Sequence, residues 1–306
     1  MDVSVVVCTY SLDRYADFRE CVESIRSQTY DPIEVVLVVD GNERTFDRLR
    51  DEFGGLEETI LHCNETNLGV SASRTEGARL ASGDIVAFID DDAVADPEWV
   101  ETLVETYEAT DALAVGGRMT GRWLAGRPWY LPEEFDWIVG VTHRGFAEAG
   151  EEVRNTFESN ISFTRDVFLE LGGFNPELGP DAESYGHGEG AEIGLRLQRR
   201  FDRGIVYEPD AVVEHKVFEH RTALRWILAR AFEQGRSKRM LAAEGESTAT
   251  EVGFLRELFF QHVPRRVSEL FRSPSLSTFG ETLMLFVLTA AVGLGYGLPA
   301  PSFGWR

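Results

Sequence analysis

Three consecutive carboxylates, Asp90, Asp91 and Asp92, directly follow an apolar run at residues 85–89 that predicts a buried strand. Three negative charges at one strand end repel each other unless a cation offsets them. Mg²⁺ or Mn²⁺ held by one or two carboxylates commonly completes its shell with phosphate oxygens, so the run predicts a divalent metal beside a diphosphate group. The alternative is a solvated acidic turn, which the position at a strand end disfavours.

Strands alternate with helices in the first part of the chain. Apolar runs at residues 3–8, 35–39 and 85–89 predict buried parallel strands, while residues 15–28 and 70–81 carry apolar side chains at helical spacing. This alternation predicts an α/β fold with a mostly parallel central sheet.

The predicted sheet places polar residues at one edge. Ligands of open parallel sheets bind outside the carboxyl ends of the strands. We therefore expect Thr9, Tyr10, Asp40 and the three aspartates to face a single crevice.

The last third of the chain has a different pattern. From residue 222 onward two amphipathic helical stretches carry arginines, and residues 283–298 carry no charge. This uncharged segment is just shorter than the roughly 17–25 residues that span a bilayer. We predict a catalytic domain at 1–215 and a membrane-associated helical tail at 216–306, with a buried helix as the alternative for the uncharged segment.

The charges flanking residues 283–298 predict the side of the membrane. Arg265, Arg266 and Arg272 precede the segment, and only Arg306 follows it. Under the positive-inside rule this asymmetry keeps the main domain cytoplasmic.

The composition points to a salt-rich cytoplasm. The 306 residues include 52 acidic and 30 basic side chains, and Lys216 and Lys238 are the only lysines. Such an acidic surface is tolerated where salt screens self-repulsion, which predicts a halophile. It also argues against nucleic acid as a partner, because a phosphate backbone needs a basic footprint.

Cysteine usage predicts a reducing compartment. Cys8, Cys21 and Cys63 are widely spaced and form no CxxC or Cys/His pattern, so neither a disulfide framework nor a zinc site is expected. No basic segment precedes the first apolar run, so we expect no signal peptide.

An aromatic, Gly- and Pro-containing stretch at residues 118–155 interrupts the α/β rhythm and is typical of a binding loop. Trp129, Tyr130 and Trp137 could stack on a sugar or a polyprenyl chain, or could pack in the core.

The order of these motifs resembles the family 2 glycosyltransferases, inverting GT-A-fold enzymes that use nucleotide-sugar donors. Seven ordered segments over about 210 residues carry the likeness, so chance is a poor explanation. They are VSVVVCTY from Val3, VVLVVDG ending at Gly41, NLGVSASRTEGARLASGD from Asn67, VAFIDDD ending at Asp92, NISFTRDVFLELGGFN from Asn160, GEGAEIGLRL from Gly188 and IVYEPDAVVEH from Ile205.

The resemblance implies donor-binding roles for several residues. Thr9 and Tyr10 would line the nucleoside pocket, and Asp40 would accept a hydrogen bond from the base. Arg74 would contact the donor, and Asp90 would contact the nucleoside sugar of the donor. Asp40 as a turn residue and Arg74 as a surface residue are the simpler alternatives.

The same likeness implies that Asp91 lies in the substrate site and that Asp92 binds the metal, Mg²⁺ or Mn²⁺. His215 matches a position that often supplies a further metal ligand. His220 lies nearby in sequence and is a rival for that role.

The catalytic base has more than one candidate. The family commonly has E-D-x-D/E where this chain has Glu189, Gly190, Ala191 and Glu192, so a glycine stands where the family places its usual basic aspartate. Glu189 and Glu192 are the candidate bases, with Glu189 slightly preferred. Two further acids in the same region, Asp181 and Glu183, are alternatives, as is a loop of solvated acids.

With the salt-adapted composition, the chain looks like haloarchaeal members of this family that build dolichol-phosphate-linked glycans for N-glycosylation of surface-layer glycoprotein, and within them those that transfer a hexuronic acid. The resemblance thus implies a uridine-linked donor and a lipid-linked acceptor at the cytoplasmic membrane face. The rivals are a transferase for exopolysaccharide or a soluble acceptor, and a catalytically silent nucleotide-sugar-binding module.

Overall fold

The computed structural model describes residues 1–178, 188–243 and 249–298. The chain forms two compact units. The first unit contains residues 1–121 and 147–216, and the second unit contains residues 122–146 and 217–306. The aromatic stretch is therefore divided, because its central part, 122–146, belongs to the second unit.

A sheet of nine strands is formed within the described residues. In chain order the strands are β1 (Val3–Thr9), β2 (Ile33–Val39), β3 (Thr59–Cys63), β4 (Ile85–Asp90), β5 (Ala93–Ala95), β6 (Ala114–Trp123), β7 (Glu152–Val153), β8 (Ile161–Thr164) and β9 (Ile205–Val217). Their order across the sheet is β3-β2-β1-β4-β8-β6-β9-β5, and β7 pairs with β9. Strands β1 to β4 pair in parallel, whereas β8 runs antiparallel to β4 and β6. This arrangement confirms the predicted α/β class.

Ten α-helices lie in the described ranges. Those of the first unit are α1 (Tyr15–Arg26), α2 (Glu43–Phe53), α3 (Val70–Leu80), α4 (Trp99–Ala109), α5 (Arg165–Glu170) and α6 (Glu189–Phe201). Those of the second unit are α7 (Leu224–Ala243), α8 (Ala249–Glu257), α9 (Val263–Arg272) and α10 (Leu276–Gly297).

Both faces of the sheet are buried. Along β1, Val5 and Val7 pack into the core that includes α1, α2 and α4, while Val6 packs on the opposite side with residues of α3, α5 and α6. A strand with helices on both sides has no solvated face, which is why β1 is a continuous apolar run without polar alternation.

The parallel register aligns the strand ends that carry the predicted site. Thr9 pairs with Val39, immediately before Asp40, and Cys8 pairs with Asp90. Thr9, Asp40 and the aspartates therefore lie at one edge of the sheet, as predicted.

Strand β9 contains a proline. The strand runs without interruption from Ile205 to Val217, although Pro209 lies within it. Its pairing with β7 ends at Val206, and its pairing with β5 begins at Val213. Pro209 lies in the gap between these two ladders, where the missing N–H costs no hydrogen bond to either strand.

The second unit has its own apolar core. Leu131, Phe135 and Ile138 from the segment 122–146 pack with residues of α7 and α10. Helix α10 is 22 residues long and, among the described residues, is the helix whose length and composition would let it cross a membrane. About a third of its most apolar part is buried against the unit's core.

Helix α9 buries an arginine and exposes a phenylalanine. Phe271 is 82 % exposed, whereas Arg266 is 5 % exposed. The reason is Glu134, which is fully buried and accepts hydrogen bonds from Arg265 at 2.5 Å and Arg266 at 2.8 Å. A buried carboxylate needs charged donors, so the arginine side of α9 faces inward.

Glu134→Gln is expected to destabilise the second unit by about 3 kcal/mol, because it removes the buried charge that Arg265 and Arg266 share and leaves them only Glu269 and Glu281 as acidic partners. Burial opposes the charge of Glu134, but hydrogen bonds from Arg266 and Arg265 lower its pKa. The stabilisation is therefore present at neutral pH and lost as the pH falls through the carboxyl pKa.

Denaturant unfolding of Glu134→Gln measures this loss, and Glu133→Gln is the matched control. Glu133 is adjacent in sequence but forms a surface pair with Arg144, with both side chains more than half exposed. Its loss is expected to cost less than about 1 kcal/mol. Equal effects of the two variants would contradict a structural role for the buried network.

Candidate active site

The end of β4 positions the three aspartates. Asp91 Oδ2 accepts a hydrogen bond from Thr9 Oγ1 at 2.8 Å, which ties the end of β1 to the end of β4. The Asp90 backbone N–H donates to Ser159 Oγ at 3.0 Å. Burial raises the pKa of Asp91 to about 6, although the nearby Arg14 opposes that rise. The adjoining carboxylates thus form a site where positive charge is stabilised.

A buried arginine lies at the centre of the site. Arg74 on α3 is 5 % exposed, and its guanidinium pairs with Asp90 and, at 2.5 Å, with Glu189 Oε1. The other oxygen of Glu189 accepts a hydrogen bond from the hydroxyl of Ser71, one turn earlier on α3. Arg74 therefore connects the end of β4 to the N-terminus of α6.

Charge and burial oppose each other in this cluster. Burial raises the pKa of Glu189 to about 7, and Glu158 and Asp90 add repulsion while Arg74 opposes it. The pKa of Arg74 is raised by the surrounding acids in spite of its burial, so the guanidinium stays charged. The charged Arg74 therefore offsets part of the negative charge of the neighbouring carboxylates.

Asp92 and His215 lie side by side. Asp92 Oδ1 is 3.7 Å from His215 Nε2, and both side chains are buried. The pairing of β5 with β9 produces this proximity, because Ala93, next to Asp92, lies opposite His215. Arg14 donates to Asp92 Oδ2 at 2.8 Å. His220 is exposed in the second unit, where its ring stacks on Phe218.

Asp92 and His215 provide one carboxylate oxygen and one imidazole nitrogen. Within the described residues no group of three His, Cys, Asp or Glu side chains is arranged to hold a metal. A mixed oxygen and nitrogen donor pair fits Mn²⁺ better than Mg²⁺, which prefers oxygen ligands. The two side chains can therefore hold Mn²⁺ if a substrate and water complete its coordination.

The carboxylate of Asp40 is hydrogen-bonded to other residues of the protein. Asp40 is 6 % exposed and accepts hydrogen bonds from Asn64 Nδ2, Leu68 N and Gly69 N, each at 2.8 Å. These bonds hold the loop that leads into α3, so Asp40 also positions Arg74 indirectly. Tyr10 is 54 % exposed at the end of β1.

The predicted bases are both paired with arginines. Glu192 holds Arg196 through two contacts of 2.6 Å, and Arg196 also donates to Gly173 O at 2.7 Å. Glu189 is held by Arg74 and Ser71, as described above. Asp181 and Glu183 lie outside the described residues.

Sequence reasoning missed three contributors to this site. Ser71 and Ser159 contact Glu189 and Asp90, and Glu158 accepts a hydrogen bond from Gly190 N at 2.8 Å. Glu158 precedes Gly190 by 32 residues, and no spacing pattern links them. The signal that the sequence did offer was Gly190 itself. A glycine close to Glu189 and Glu192 leaves room for a side chain from another segment.

The aromatic residues of the stretch at 118–155 divide into two groups. Trp137 packs against Phe135 and Phe254 in the second unit, in agreement with the core alternative. Trp129 is 58 % exposed and lies against Gly280 of α10.

The chain matches the model of glycosyl transferase family 2 over residues 4–172, which spans β1 to the end of α5. It is also 48 % identical, over 99 % of its length and 98 % of the relative's, to the glucosyl-dolichyl phosphate glucuronosyltransferase of Haloferax volcanii. The chain belongs to glycosyltransferase family 2. Its similarity to a haloarchaeal protein agrees with the halophile predicted from the acidic composition.

Solved structures of this fold confirm the GT-A architecture. The mannosyltransferase PcManGT of Pyrobaculum calidifontis, in complex with GDP-Man and Mn²⁺, aligns with a TM-score of 0.57 at 16 % identity, covering 96 % of this chain and 87 % of that one. TarS of S. aureus in complex with UDP-GlcNAc aligns with a TM-score of 0.54 at 16 % identity, covering 95 % and 82 %. At these identities the likeness supports the fold alone.

Proposed function

We propose that this glycosyltransferase moves a hexuronic acid from a uridine-linked nucleotide donor to a dolichyl phosphate-linked glycan. The observation that carries the proposal is the 48 % identity to a protein named for glucuronosyl transfer to glucosyl-dolichyl phosphate, which extends over 99 % of this chain. The alignment includes the second unit, so the likeness is not confined to the nucleotide-binding fold. Attachment of the glycan to surface-layer glycoprotein stays a prediction from the resemblance.

The donor site is proposed at the edge formed by β1, β2 and β4. Thr9, Tyr10 and Asp40 surround the nucleoside there, and Asp90 and Asp91 approach the donor from the end of β4. Arg74 is proposed to contact the donor from its fixed position between Asp90 and Glu189, beside the end of β4.

Asp92 and His215 are proposed to hold Mn²⁺. When bound, a divalent cation offsets the negative charge that develops on a departing diphosphate. The protein's part is to keep Asp92 oriented, which Arg14 does through its 2.8 Å contact with Oδ2.

The reaction is proposed as a single displacement at the anomeric carbon, with inversion. A carboxylate removes the proton from the acceptor hydroxyl as its oxygen bonds to that carbon and the nucleoside diphosphate leaves with the bonding electron pair. Glu189 orients Arg74 in this scheme, and Glu192 holds Arg196 and the turn at Gly173.

Membrane attachment is proposed for the second unit. Phe260, Phe271 and Leu276 are each at least 78 % exposed, and Arg272 lies between the last two in sequence. Exposed aromatic and aliphatic side chains with neighbouring arginines are typical of surfaces that bind anionic lipids. The excess of arginines before α10 over those after it favours the cytoplasmic face.

Titration calorimetry with Mn²⁺ in molar KCl tests the donor. UDP-glucuronic acid is expected to bind at least tenfold more tightly than GDP-mannose, with UDP-glucose as the control for the carboxylate. Preferential binding of GDP-mannose would contradict a uridine donor, and equal affinity for the two UDP-sugars would contradict recognition of the uronic acid in the ground state.

Vesicle flotation tests the membrane surface. The wild type is expected to float with vesicles that contain anionic lipid, and the double variant Phe260→Ser/Phe271→Ser is expected to remain largely in the soluble fraction. Apolar surface that leaves water contributes about 25 cal/mol per Å², and the double variant loses this contribution at both phenylalanines. Unchanged flotation of the double variant would exclude these phenylalanines from the contact.

A further inference from the structure

The carboxylates around Arg74 differ in how they are held. Glu189 is 3 % exposed, with one oxygen on Arg74 and the other on the Ser71 hydroxyl. Glu192 has both oxygens on Arg196. A base must come within about 2.6–3.2 Å of the proton donor. An acceptor hydroxyl reaches Glu192 only by breaking the ion pair with Arg196, and reaches Glu189 only by displacing Arg74 or the Ser71 hydroxyl.

Glu158 is held in another way. It is partly exposed, and its Oε1 accepts a hydrogen bond from the Gly190 backbone N–H at 2.8 Å. Within the described residues it forms no arginine ion pair, so Oε2 is available to a substrate.

The location of Glu158 is fixed by its neighbours in sequence. Ser159 Oγ accepts from Asp90 N, which places this segment against the end of β4. Asn160 is fully buried, accepts from Trp99 Nε1 at 2.9 Å and donates to Ala211 O at 2.9 Å. The acid is thus supported by a rigid dipeptide beside the aspartates.

Gly190 is what admits the Glu158 carboxylate. A Cβ built on Gly190 would collide with Glu158 Oε1, and the nearby side-chain carbons of Glu158 would also be crowded. The carboxylate of Glu158 therefore fills the space into which a side chain from position 190 would extend. A residue without a side chain is therefore needed at position 190 while the Glu158 carboxylate occupies this space.

We propose that Glu158 is the catalytic base of the transfer, an inference that rests on the proposed function. Glu158 takes the proton of the acceptor hydroxyl as the acceptor oxygen forms its bond to the anomeric carbon. The bond from that carbon to the diphosphate breaks, and the electron pair leaves on the diphosphate oxygen. Glu158 then releases the proton to water, to which its partly exposed side chain has access. Because Glu158 supplies a carboxylate at this place, the glycine at position 190 no longer favours the interpretation of the chain as a catalytically silent module.

Glu158→Gln is the first variant. Glutamine keeps the shape and the acceptor for Gly190 N–H, so folding and donor affinity should match the wild type while kcat falls by about 10²–10⁴-fold, the usual contribution of a general base. Glu151→Gln is the matched control, because Glu151 is exposed on the preceding segment and its side chain accepts only from Glu148 N among the described residues. An undiminished kcat for Glu158→Gln in an enzyme whose wild type is active would overturn the proposal.

A reciprocal pair of variants separates a base from a structural cap. Gly190→Asp alone should lose activity, because its side chain collides with Glu158, and Glu158→Ala alone should lose activity for lack of a carboxylate. The double variant Glu158→Ala/Gly190→Asp should recover at least tenfold over Glu158→Ala, since the introduced aspartate would occupy the vacated space. No recovery, with donor binding intact, would contradict the proposed position of the base.

The two proposals fail in different ways. A wild type that binds donor but transfers no sugar would contradict the proposed function. An active wild type in which Glu189→Gln, Asp181→Asn or Glu183→Gln loses kcat while Glu158→Gln keeps it would retain the function and reassign the base.

Discussion

Arg74→Lys is expected to reduce transfer by at least 10²-fold and to destabilise the first unit by about 3 kcal/mol, the typical cost of disrupting a buried ion pair. Arg74 is 5 % exposed and bridges Asp90 to Glu189 through separate nitrogens of one planar group. Lysine retains the charge but has a single nitrogen, so it cannot span both carboxylates in the same geometry. The site would then lose the connection between β4 and α6 that positions its acids.

Initial rates and denaturant unfolding measure the two effects, and Arg79→Lys is the control on the same helix. Arg79 is 61 % exposed on its side chain and pairs with Glu76 three residues earlier. Such surface pairs contribute less than about 1 kcal/mol, so both rate and stability should stay near wild type. If Arg74→Lys behaved like Arg79→Lys, the bridging role of Arg74 would be wrong.

Asp92→Asn is expected to lower transfer by at least 10³-fold and to abolish the rise in Tm that we expect Mn²⁺ to produce in the wild type. The amide removes the negative charge that is proposed to hold a divalent cation, while its size fits the same space beside Arg14 and His215. A ligand that binds only the folded state stabilises it by RT ln(1 + [L]/Kd), so the Tm shift reports metal binding independently of activity.

Asp111→Asn is the matched control for this variant, because Asp111 is exposed beyond α4 and has the same change in charge. It should retain both the rate and the Mn²⁺ response. If Asp92→Asn kept its Mn²⁺-induced Tm shift, the metal would have to be assigned to other residues, and His215→Ala would then be expected to have no effect on it.

The buried strands could be predicted because local sequence determines them. The runs at β1, β2 and β4 are apolar on both faces, and a strand covered by helices on both sides has no other pattern. The polar residues that end those runs, Thr9, Asp40 and Asp90, were placed at one edge correctly because parallel strands bring their carboxyl ends together.

The parts that could not be predicted depend on contacts between distant segments. Arg266 is buried only because Glu134, more than a hundred residues earlier, is buried opposite it. Periodicity alone assigns arginines to the solvent side of a helix, so the inward face of α9 was missed.

Glu158 was missed for the same reason. Its proximity to Gly190 arises from the packing of α6 against the segment before β8, and the sequence shows the glycine without showing what fills the space beside it. A missing acid in a motif is therefore weak evidence for lost activity until the carboxylates of neighbouring segments have been located.

The product of the reaction decides whether the protein transfers a hexuronic acid to a lipid-linked sugar. Purified protein in molar KCl with Mn²⁺ would be incubated with UDP-glucuronic acid and glucosyl-dolichyl phosphate, and the lipid fraction analysed by mass spectrometry. We expect a mass gain of one hexuronic acid residue on the lipid-linked sugar, absent from Asp92→Asn. Release of UDP without any lipid product, or a gain of hexose from UDP-glucose in preference to hexuronic acid, would contradict it.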